Sequence, residues 1–315
     1  MSSRSDPEYV KQVYQLYEAG KFERAYELLT QSAERYPEEL QQIFEWRFDL
    51  AARIGKPELS EAIFSEALDA GYFYSERTLR MDDDLQTMQG RPGFENLVKR
   101  DLEILAEAQK HAYPELEILY HGKESALGKP LFLALHGNNS NISKFRQYWS
   151  ALWNTEWLVA LPQSSQVSGR ERYVWNDMEI LERELKDHYA GLCASGRVDP
   201  GRVLISGFSK GGHTAIDTAL RGYLPVKGFL AVAPYIGKPE ELLPYLDALQ
   251  NRHLRGFILA GGEDKDCISG ASRLHEEMKK RGLCCEIKVY PGLGHEFPED
   301  FDTVLPEIIQ FLLGG

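Results

Sequence analysis

The sequence predicts an α/β fold, a mostly parallel sheet flanked by helices, preceded by an all-α extension. Up to about residue 113 the apolar residues recur at helical spacing only. After Pro114, short apolar runs alternate with helical segments, which is typical of a parallel sheet covered on both faces. Acidity is also concentrated early, since residues 1–115 hold 14 basic and 23 acidic side chains. We therefore expect a helical domain over residues 1–113 and an α/β domain over residues 114–315.

The composition excludes several classes of protein. Hydrophobic residues make up 43% of the chain and charged residues 27%, close to globular proteins and far from disordered ones. The net charge of −12 argues against a nucleic-acid partner, because phosphate binding needs clustered Lys and Arg. No apolar run is long enough to span a bilayer, and the N-terminus lacks the apolar core of a secretory signal. We expect a cytoplasmic protein without a membrane span.

The chain holds four cysteines, Cys193, Cys267, Cys284 and Cys285. Their positions have neither the spacing of metal ligands nor that of a C-x-x-C motif. Cys284 and Cys285 fall in a predicted strand, where adjacent side chains point to opposite faces. We expect free thiols in a reducing compartment and no metal site.

The first third is predicted to consist of paired helices. Helix breaks at Gly20 and Gly55 lie 35 residues apart, and a period of about 34 residues is typical of tetratricopeptide repeats. Residues 17–25, YEAGKFERA, resemble the junction between the two helices of such a repeat, whereas a third unit over 82–99 is only half recognisable. The resemblance implies a surface for a protein partner or a second copy of the chain. Because such repeats need about three copies for stability, we favour an extension that packs on the α/β domain.

Seven strands and six helices are predicted after Pro114. The strands cover residues 116–120, 131–135, 157–161, 203–205, 226–233, 257–260 and 285–290. The helices cover residues 142–153, 177–193, 210–221, 239–250, 270–281 and 300–313. Ligands of parallel sheets bind beyond the C-terminal ends of the strands, and every motif described next directly follows a strand.

The strongest motif is GFSKGG at residues 207–212, between a predicted strand and a predicted helix. This context is the one a nucleophile elbow needs, because a sharp strand-to-helix turn strains the backbone of the Ser while glycines let the chain segments approach. Ser209 is therefore the predicted nucleophile. The backbone N–H of Lys210, the next residue, is predicted to bind the oxyanion.

A second loop, HGNN at residues 136–139, follows an earlier strand. At this position the chain can offer a second backbone N–H to the oxyanion. We assign that N–H to Asn138, with Asn139 as the alternative.

Two late loops supply an acid and a base. The turn GGEDKD at residues 261–266 offers Asp264 and Asp266. Of the eight histidines, His295 alone follows the last strand in a Gly-rich loop. His295 is the predicted general base and then general acid, oriented by the carboxylate. The order Ser, Asp, His along the chain is that of α/β-hydrolases.

Together these motifs resemble the α/β-hydrolase superfamily over about residues 116–313, in the branch of phospholipase/carboxylesterases and acyl-protein thioesterases. In that branch the acid lies three residues after the glycine of its turn, which favours Asp264 over Asp266. The resemblance implies an α/β-hydrolase fold and a serine esterase that forms an acyl-enzyme on Ser209 from a small ester or thioester, with no cofactor. The alternatives are a serine peptidase and a tetratricopeptide-like binding protein with a catalytically silent hydrolase domain.

The substrate site is less defined by the sequence. Lys210 replaces the usual uncharged residue of the resembled branch, and its ammonium either favours anionic substrates or is simply solvated. Arg170 and Arg172 follow a strand in a polar loop and could hold a carboxylate or a phosphate, although either could be an ordinary surface arginine. With them, Asn139 and Trp175 are candidate substrate-binding residues. No lid is inserted before the strand at 257–260, so we expect an open pocket or one covered by the N-terminal helices or another subunit.

Overall fold

The computed structural model describes residues 8–120, 128–251 and 253–314. The chain forms two compact units. The first contains the residues up to Ala112 together with Val167–Arg172, and the second contains Tyr113–Gln166 and the residues from Tyr173 onward. The division predicted from the sequence places the boundary one residue later and assigns 167–172 to the α/β part.

Up to Ala112, the regular elements of the first unit are helices, as predicted. Within its described residues the α-helices are α1 (Glu8–Glu18), α2 (Phe22–Ser32), α3 (Leu40–Arg53), α4 (Pro57–Asp69), α5 (Glu76–Met81) and α6 (Pro92–His111). Short 3₁₀ helices cover Pro37–Glu39 and Asp83–Met88. Consecutive helices from α1 to α4 pack against one another. The tetratricopeptide resemblance itself stays a prediction.

Both predicted glycine breaks lie just after a helix. Gly20 follows α1 and Gly55 follows α3, with φ angles of 66° and 75°. After the second break, the backbone N–H of Lys56 donates to the carbonyl of Ala51 at 2.9 Å. This closure of a helix end needs a left-handed residue, which glycine adopts without steric cost. The two breaks are therefore set by local backbone chemistry.

An aromatic cluster with a buried carboxyl group beside it forms part of the core of the first unit. The rings of Phe48 and Phe64 lie 5.0 Å apart, and those of Phe48 and Tyr74 lie 5.2 Å apart. The backbone N–H of Tyr74 donates to Oδ1 of the fully buried Asp101 at 2.9 Å. Burial raises the pKa of Asp101 to about 7, although this hydrogen bond acts in the opposite direction. Burial also raises the pKa of Asp49 in α3 well above its usual value.

The second unit contains a seven-stranded sheet. The strands of the described chain are β1 (Glu115–Leu119), β2 (Lys129–Leu135), β3 (Leu158–Gln163), β4 (Val167–Gly169), β5 (Arg172–Tyr173), β6 (Val198–Phe208), β7 (Gly228–Val232), β8 (Arg255–Gly261) and β9 (Cys284–Tyr290). The order in the sheet is β1-β3-β2-β6-β7-β8-β9, and β4 and β5 form a separate two-stranded sheet. β1 runs antiparallel to β3, and the other neighbours in the sheet are parallel. All seven strands predicted for the sheet are confirmed.

Helices cover both faces of this sheet. They are α7 (Ile142–Phe145), α8 (Met178–Ala194), α9 (Lys210–Arg221), α10 (Leu243–Leu246), α11 (Lys265–Lys280) and α12 (Phe301–Leu313). On β2, Leu131 and Leu133 belong to one core with residues of α8, α9 and α11, whereas Phe132 belongs to the other core with residues of α7 and α12. This alternation is the reason that β2 is apolar throughout.

Two predicted helices are shorter than expected. The helix predicted over 142–153 is α-helical only in α7 and then continues as a 3₁₀ helix to Leu152. The helix predicted over 239–250 consists of two 3₁₀ segments around the single turn of α10. Pro244 lies in the first turn of α10, and proline has no N–H to donate within a longer helix.

The β4–β5 hairpin lies in a segment predicted to be a polar loop. Its strands have three and two residues. Such short strands give no recognisable alternation of apolar and polar residues, so periodicity does not predict them. In the described part of the chain, no helix combines the length and the apolar character needed to cross a membrane.

We expect the variant Asp101→Asn to gain stability relative to the wild type as the pH rises. Because the folded-state pKa of Asp101 is raised from 3.8 to about 7, the folded protein binds more protons than the unfolded chain between these values. Wild-type stability should therefore fall as the pH rises through this range. Asn keeps an oxygen that accepts from Tyr74 and does not ionise. Between pH 5 and pH 8, the free energy of unfolding of the variant should rise by about 1–3 kcal/mol relative to the wild type, measured by urea denaturation.

The matched control is Glu103→Gln, which changes an exposed carboxylate on the same helix. Its stability relative to the wild type should not vary with pH. If Asp101→Asn behaved in the same way, Asp101 would be ionised in both states and the assigned effect of burial would be wrong.

Candidate active site

Ser209 lies at the turn between β6 and α9, with φ of 55° and ψ of −121°. A non-glycine residue in this region is strained, and such strain persists only where the surroundings impose it. The backbone N–H of Ser209 donates to the carbonyl of Val232 on β7 at 2.9 Å. Its own carbonyl accepts from the N–H of His213 at 3.0 Å and from that of Tyr235 at 3.1 Å. These bonds hold the strained turn that the motif predicts.

The glycines of the motif are required because backbones approach closely around Ser209. A Cβ on Gly207 would lie 2.3 Å from the carbonyl carbon of Gly211. A Cβ on Gly211 would lie 2.3 Å from the carbonyl oxygen of His136 and 2.4 Å from that of Leu135. Real Cβ contacts are not this short. Glycine at 207 therefore lets the end of β6 meet the start of α9, and glycine at 211 lets the start of α9 meet the end of β2.

Asp264 and His295 form a direct hydrogen bond. Oδ2 of Asp264 lies 2.7 Å from Nδ1 of His295. The Asp264 side chain is 5% exposed and the His295 side chain 41% exposed. A carboxylate acceptor at Nδ1 keeps the proton on that nitrogen, which leaves the lone pair of Nε2 to act as a base. The structure thus brings Asp264 to His295, while Asp266 is an exposed residue of the first turn of α11.

The loops that carry the acid and the base are bonded to each other. Gly262 N–H donates to the carbonyl of Tyr290 at 2.9 Å, and Glu263 N–H donates to that of Leu293 at 2.9 Å. A Cβ on Gly261 would lie 2.2 Å from the carbonyl oxygen of Gly294. The loops after β8 and β9 therefore pack backbone to backbone, and this packing holds the Asp264 carboxylate next to the His295 imidazole.

His295 lies beside the elbow. Its ring centroid is 4.8 Å from that of Phe208, the residue before Ser209. Phe208 in turn stacks on Phe297, with centroids 5.0 Å apart. The loops after β6, β8 and β9 therefore place Ser209, Asp264 and His295 at one edge of the sheet, where ligands of parallel sheets bind.

The loop after β2 also reaches the elbow. A Cβ on Gly137 would lie 3.5 Å from Cβ of Ser209. The side chain of Asn138 is engaged, since Oδ1 accepts from Trp175 N–H at 3.0 Å and Nδ2 donates to Oδ1 of Asn176 at 2.9 Å. Among the described residues, none accepts a hydrogen bond from the backbone N–H of Asn138. Asn139, the alternative donor, is exposed and has a left-handed backbone with φ of 58°.

His136 and Trp175 support this loop from inside. His136 is fully buried, and burial lowers its pKa to about 4, so its ring is neutral at neutral pH. Its Nδ1 lies 2.7 Å from the carbonyl oxygen of Gly137. Trp175, a candidate substrate-binding residue, is also fully buried; its ring lies 4.8 Å from that of His136, and its Nε1 donates to the His136 carbonyl at 2.8 Å.

The ammonium of Lys210 faces His213. Nζ of Lys210 lies 3.3 Å from Nδ1 of His213. Burial, and then the positive charge of Lys210, lower the pKa of His213 to about 4. A neutral imidazole can accept a hydrogen bond from the ammonium at Nδ1, so Lys210 has a protein partner on its own helix.

Arg170 and Arg172 belong to the helical unit. Nη1 of Arg170 donates to the carbonyl of Ala70 at 3.3 Å, and Nη1 of Arg172 lies 2.6 Å from Oε2 of Glu45. Both guanidinium groups therefore have partners within that unit, and a role in substrate binding stays a prediction.

Cys267 is a neighbour of the acid–base pair that the sequence did not predict. Its Sγ lies 3.5 Å from Nδ1 of His295, and the donor atoms of Asp264, Cys267 and His295 all lie within 4.8 Å of one another. Such a set could in principle ligate a metal ion. However, burial and the charge of Asp264 raise the pKa of the Cys267 thiol, so it stays protonated, and Asp264 already bonds to Nδ1. The available signal was the position of Cys267 three residues after Asp264, on the first helical turn.

We expect Gly211→Ala to reduce both stability and any activity of the site. The new methyl group would collide with the carbonyls of Leu135 and His136, and overpacking of this kind costs about 1–3 kcal/mol. Gly191→Ala in α8 is the matched control, because a Cβ there meets no atom within 4 Å; it should raise the free energy of unfolding by about 0.5–1 kcal/mol. Chemical denaturation measures both changes, and equal effects of the two variants would contradict the close approach at Gly211.

Two family models match separate parts of the chain. Residues 7–109 match the family model described as A/B hydrolase-like, N-terminal domain, and residues 163–305 match the Dienelactone hydrolase family. No curated protein matches the chain. An uncharacterized protein from Bacillus cereus ATCC 10987 is 28% identical, with a TM-score of 0.57 over 96% of this chain and 97% of that one.

Two further solved structures resemble the second unit in fold. Esterase PE8 is 20% identical with a TM-score of 0.50, over 64% of this chain and 99% of its own. Acyl-protein thioesterase 2 from Zea mays is 15% identical with a TM-score of 0.50, over 64% of this chain and 100% of its own. The family matches support a hydrolase. The chain therefore has the α/β-hydrolase fold predicted from its motifs, preceded by a helical N-terminal region.

Proposed function

We propose that the protein is a serine hydrolase that cleaves a carboxylic ester or a thioester through an acyl-enzyme on Ser209. The observation that carries the proposal is the hydrogen bond of 2.7 Å between Asp264 and His295, at the sheet edge that also holds the strained turn of Ser209. A nucleophile, a base and a group that orients the base are the parts that covalent acyl transfer requires.

In the proposed acylation step, Oγ of Ser209 attacks the carbonyl carbon while Nε2 of His295 takes the hydroxyl proton. The negative charge passes to the carbonyl oxygen, where the backbone N–H groups of Asn138 and Lys210 stabilise it. As the tetrahedral intermediate collapses, the bond to the alcohol or thiol breaks and His295 returns the proton to that group.

Deacylation repeats the sequence with water as the nucleophile. His295 takes a proton from water, and the resulting hydroxide attacks the acyl carbon. Breakdown of the second tetrahedral intermediate releases the carboxylic acid, and the proton returns to Oγ of Ser209. Throughout, Asp264 keeps the proton on Nδ1 of His295 and stabilises the imidazolium that forms in each step. Apart from the substrate and water, every group named in these steps is a side chain or backbone amide of this chain.

The burial of Asp264 favours an active enzyme over a catalytically silent hydrolase domain. Its side chain is 5% exposed, and burying a carboxylate costs free energy unless charged or polar partners compensate for it. A silent domain would have no need of a carboxylate that holds the proton on one nitrogen of His295. For Trp175 we propose a supporting role under the loop of Asn138, in place of a contact with the substrate, because its side chain is fully buried.

The variant Ser209→Ala should lose ester hydrolysis and remain folded. Removing the nucleophile of such a triad lowers kcat on the order of 10⁶-fold. The measurement is hydrolysis of p-nitrophenyl esters of increasing chain length, together with thioesters and peptide amides, and labelling by a fluorophosphonate probe. Ser206→Ala, which changes a buried serine three residues earlier on β6, is the control for loss of a hydroxyl group. A Ser209→Ala variant that kept the wild-type rate would remove Ser209 from the mechanism.

The variant Asp264→Asn should be far more damaging than Asp266→Asn. An amide at position 264 can donate to Nδ1 of His295, which favours the wrong tautomer, at a cost of about 10⁴-fold in kcat in the serine-protease example of the same triad. Asp266 is exposed in the first turn of α11, so its variant should retain a rate near the wild type. The measurement is steady-state kinetics of the two variants. A larger loss of kcat in Asp266→Asn than in Asp264→Asn would assign the acid to Asp266.

A further inference from the structure

We propose that His136 is a positioning residue, because its imidazole fixes the orientation of the peptide that carries the N–H of Asn138. The carbonyl of Gly137 and the N–H of Asn138 belong to this one peptide. All the residues involved lie within the second unit. The kinetic part of the inference rests on the proposed function, in which this N–H binds the oxyanion, whereas its structural part does not.

The imidazole holds the opposite end of that peptide. Nδ1 of His136 lies 2.7 Å from the carbonyl oxygen of Gly137, and the peptide that contains this carbonyl is trans. In a planar trans peptide the C=O and the N–H point in opposite directions. Because the two groups cannot rotate independently, the bond that holds the Gly137 carbonyl also sets the direction of the Asn138 N–H.

The proton of this hydrogen bond belongs to His136. A carbonyl oxygen only accepts, so Nδ1 is the donor, and the neutral imidazole then carries no proton on Nε2. Among the described residues, none forms a hydrogen bond with Nε2 of His136, so a second proton would be buried without an acceptor. Burial lowers the pKa of the ring to about 4, although the bond to Gly137 acts in the opposite direction. At neutral pH, His136 is therefore an uncharged ring with one N–H donor.

The imidazole is itself held in place. His136 is fully buried directly after β2, and its ring lies 4.8 Å from the ring of Trp175. Nε1 of Trp175 donates to the carbonyl of His136 at 2.8 Å, so the preceding peptide is fixed as well. The start of α9 packs against the same carbonyl, since a Cβ on Gly211 would lie 2.3 Å from its oxygen. His136 therefore presents its N–H from a ring and a backbone that are both fixed by their neighbours.

Gly137 is the reason that this peptide needs a hydrogen bond. A Cβ at this position would lie 3.2 Å from Cδ1 of Phe208 and 3.5 Å from Cβ of Ser209, so the close approach of the loop to the elbow favours glycine. Glycine permits backbone conformations that other residues avoid, so its own sterics do not fix the peptide that follows. On the other side of that peptide, Oδ1 of Asn138 accepts from the N–H of Trp175 at 3.0 Å. The bonds to Gly137 and Asn138 replace the restriction that a side chain at 137 would give.

The same bond also affects how strongly the Asn138 N–H donates. Hydrogen bonds that are linked in a chain polarise one another, and each becomes stronger. A donor in an oxyanion hole stabilises the developing charge only if it already points at the place where that charge forms. His136 therefore contributes to both the direction and the strength of the proposed donor.

The test compares variants of His136 that remove or keep the N–H. His136→Leu and His136→Met remove it and keep an apolar side chain, so one variant can serve should the other fail to fold. His136→Asn places an amide NH₂ close to the position of Nδ1, because both nitrogens are bonded to Cγ. His188→Leu is the control, since it removes a half-buried imidazole on α8 of the same unit.

The first readout is steady-state ester hydrolysis, with rates corrected for the folded fraction of each variant. Misdirection of an oxyanion donor acts on the transition state, and full loss of one donor costs about 10²–10³-fold in kcat. We expect His136→Leu and His136→Met to lower kcat by about 10-fold or more, with KM nearly unchanged. His136→Asn should recover part of the loss, and His188→Leu should match the wild type. A wild-type kcat in both His136→Leu and His136→Met would overturn the proposal.

The second readout is the orientation of the peptide, which needs no turnover. In crystal structures, the Gly137 carbonyl should leave its wild-type direction in His136→Leu or His136→Met and keep it in His136→Asn and His188→Leu. If the wild type hydrolyses no ester and the carbonyl turns in the variants without the N–H, the proposed function fails and the positioning role stands. If the carbonyl keeps its direction in those variants, or if only their melting temperature falls, His136 serves stability alone and the inference is wrong.

Discussion

The left-handed backbone of Ser209 is the constraint on which the arrangement of the site depends. A serine adopts such a conformation only where neighbouring segments hold it, and here β7, the loop that follows β7 and the first turn of α9 supply the hydrogen bonds. These bonds can form because Gly207 and Gly211 let backbones approach to distances that no side chain permits. The close approach also brings the end of β2, and with it the loop of residues 136–139, against the start of α9.

The same principle operates between the loops of the acid and the base. Gly261 lets the turn after β8 meet the loop after β9, and two backbone hydrogen bonds hold them together. Asp264 and His295 are then adjacent because parallel strands deliver their following loops to one edge of the sheet. Phe208 completes the arrangement by packing against His295 and by stacking on Phe297. The geometry proposed to carry catalysis thus depends more on backbone packing than on the charged groups themselves.

Polar groups inside the protein are handled in two ways. In the second unit, His136 and His213 are kept neutral by burial and serve as hydrogen-bonding partners. In the first unit, burial raises the pKa of Asp49 and Asp101, so that the uncharged form is favoured. Arg172 and Glu45, whose side chains are 16% and 15% exposed, instead form an ion pair. Each choice follows from the cost of placing a charge in a medium of low polarity.

The sequence by itself determined the helical first third, the seven strands of the sheet and the candidate roles of Ser209 and His295. Apolar spacing and glycine placement are local properties, so a segment of about ten residues is enough to predict a helix, a strand or a turn. Asp264 could be preferred over Asp266 only through a family resemblance, because both follow the same turn. Only the tertiary structure decided which carboxylate meets His295, that Cys267 lies beside them, and that Trp175 is buried under the loop of residues 136–139. It also decided the partner of Arg172, which lies 127 residues away along the chain. Contacts at such separations depend on how the whole backbone is folded, and residue spacing along the chain carries no record of them.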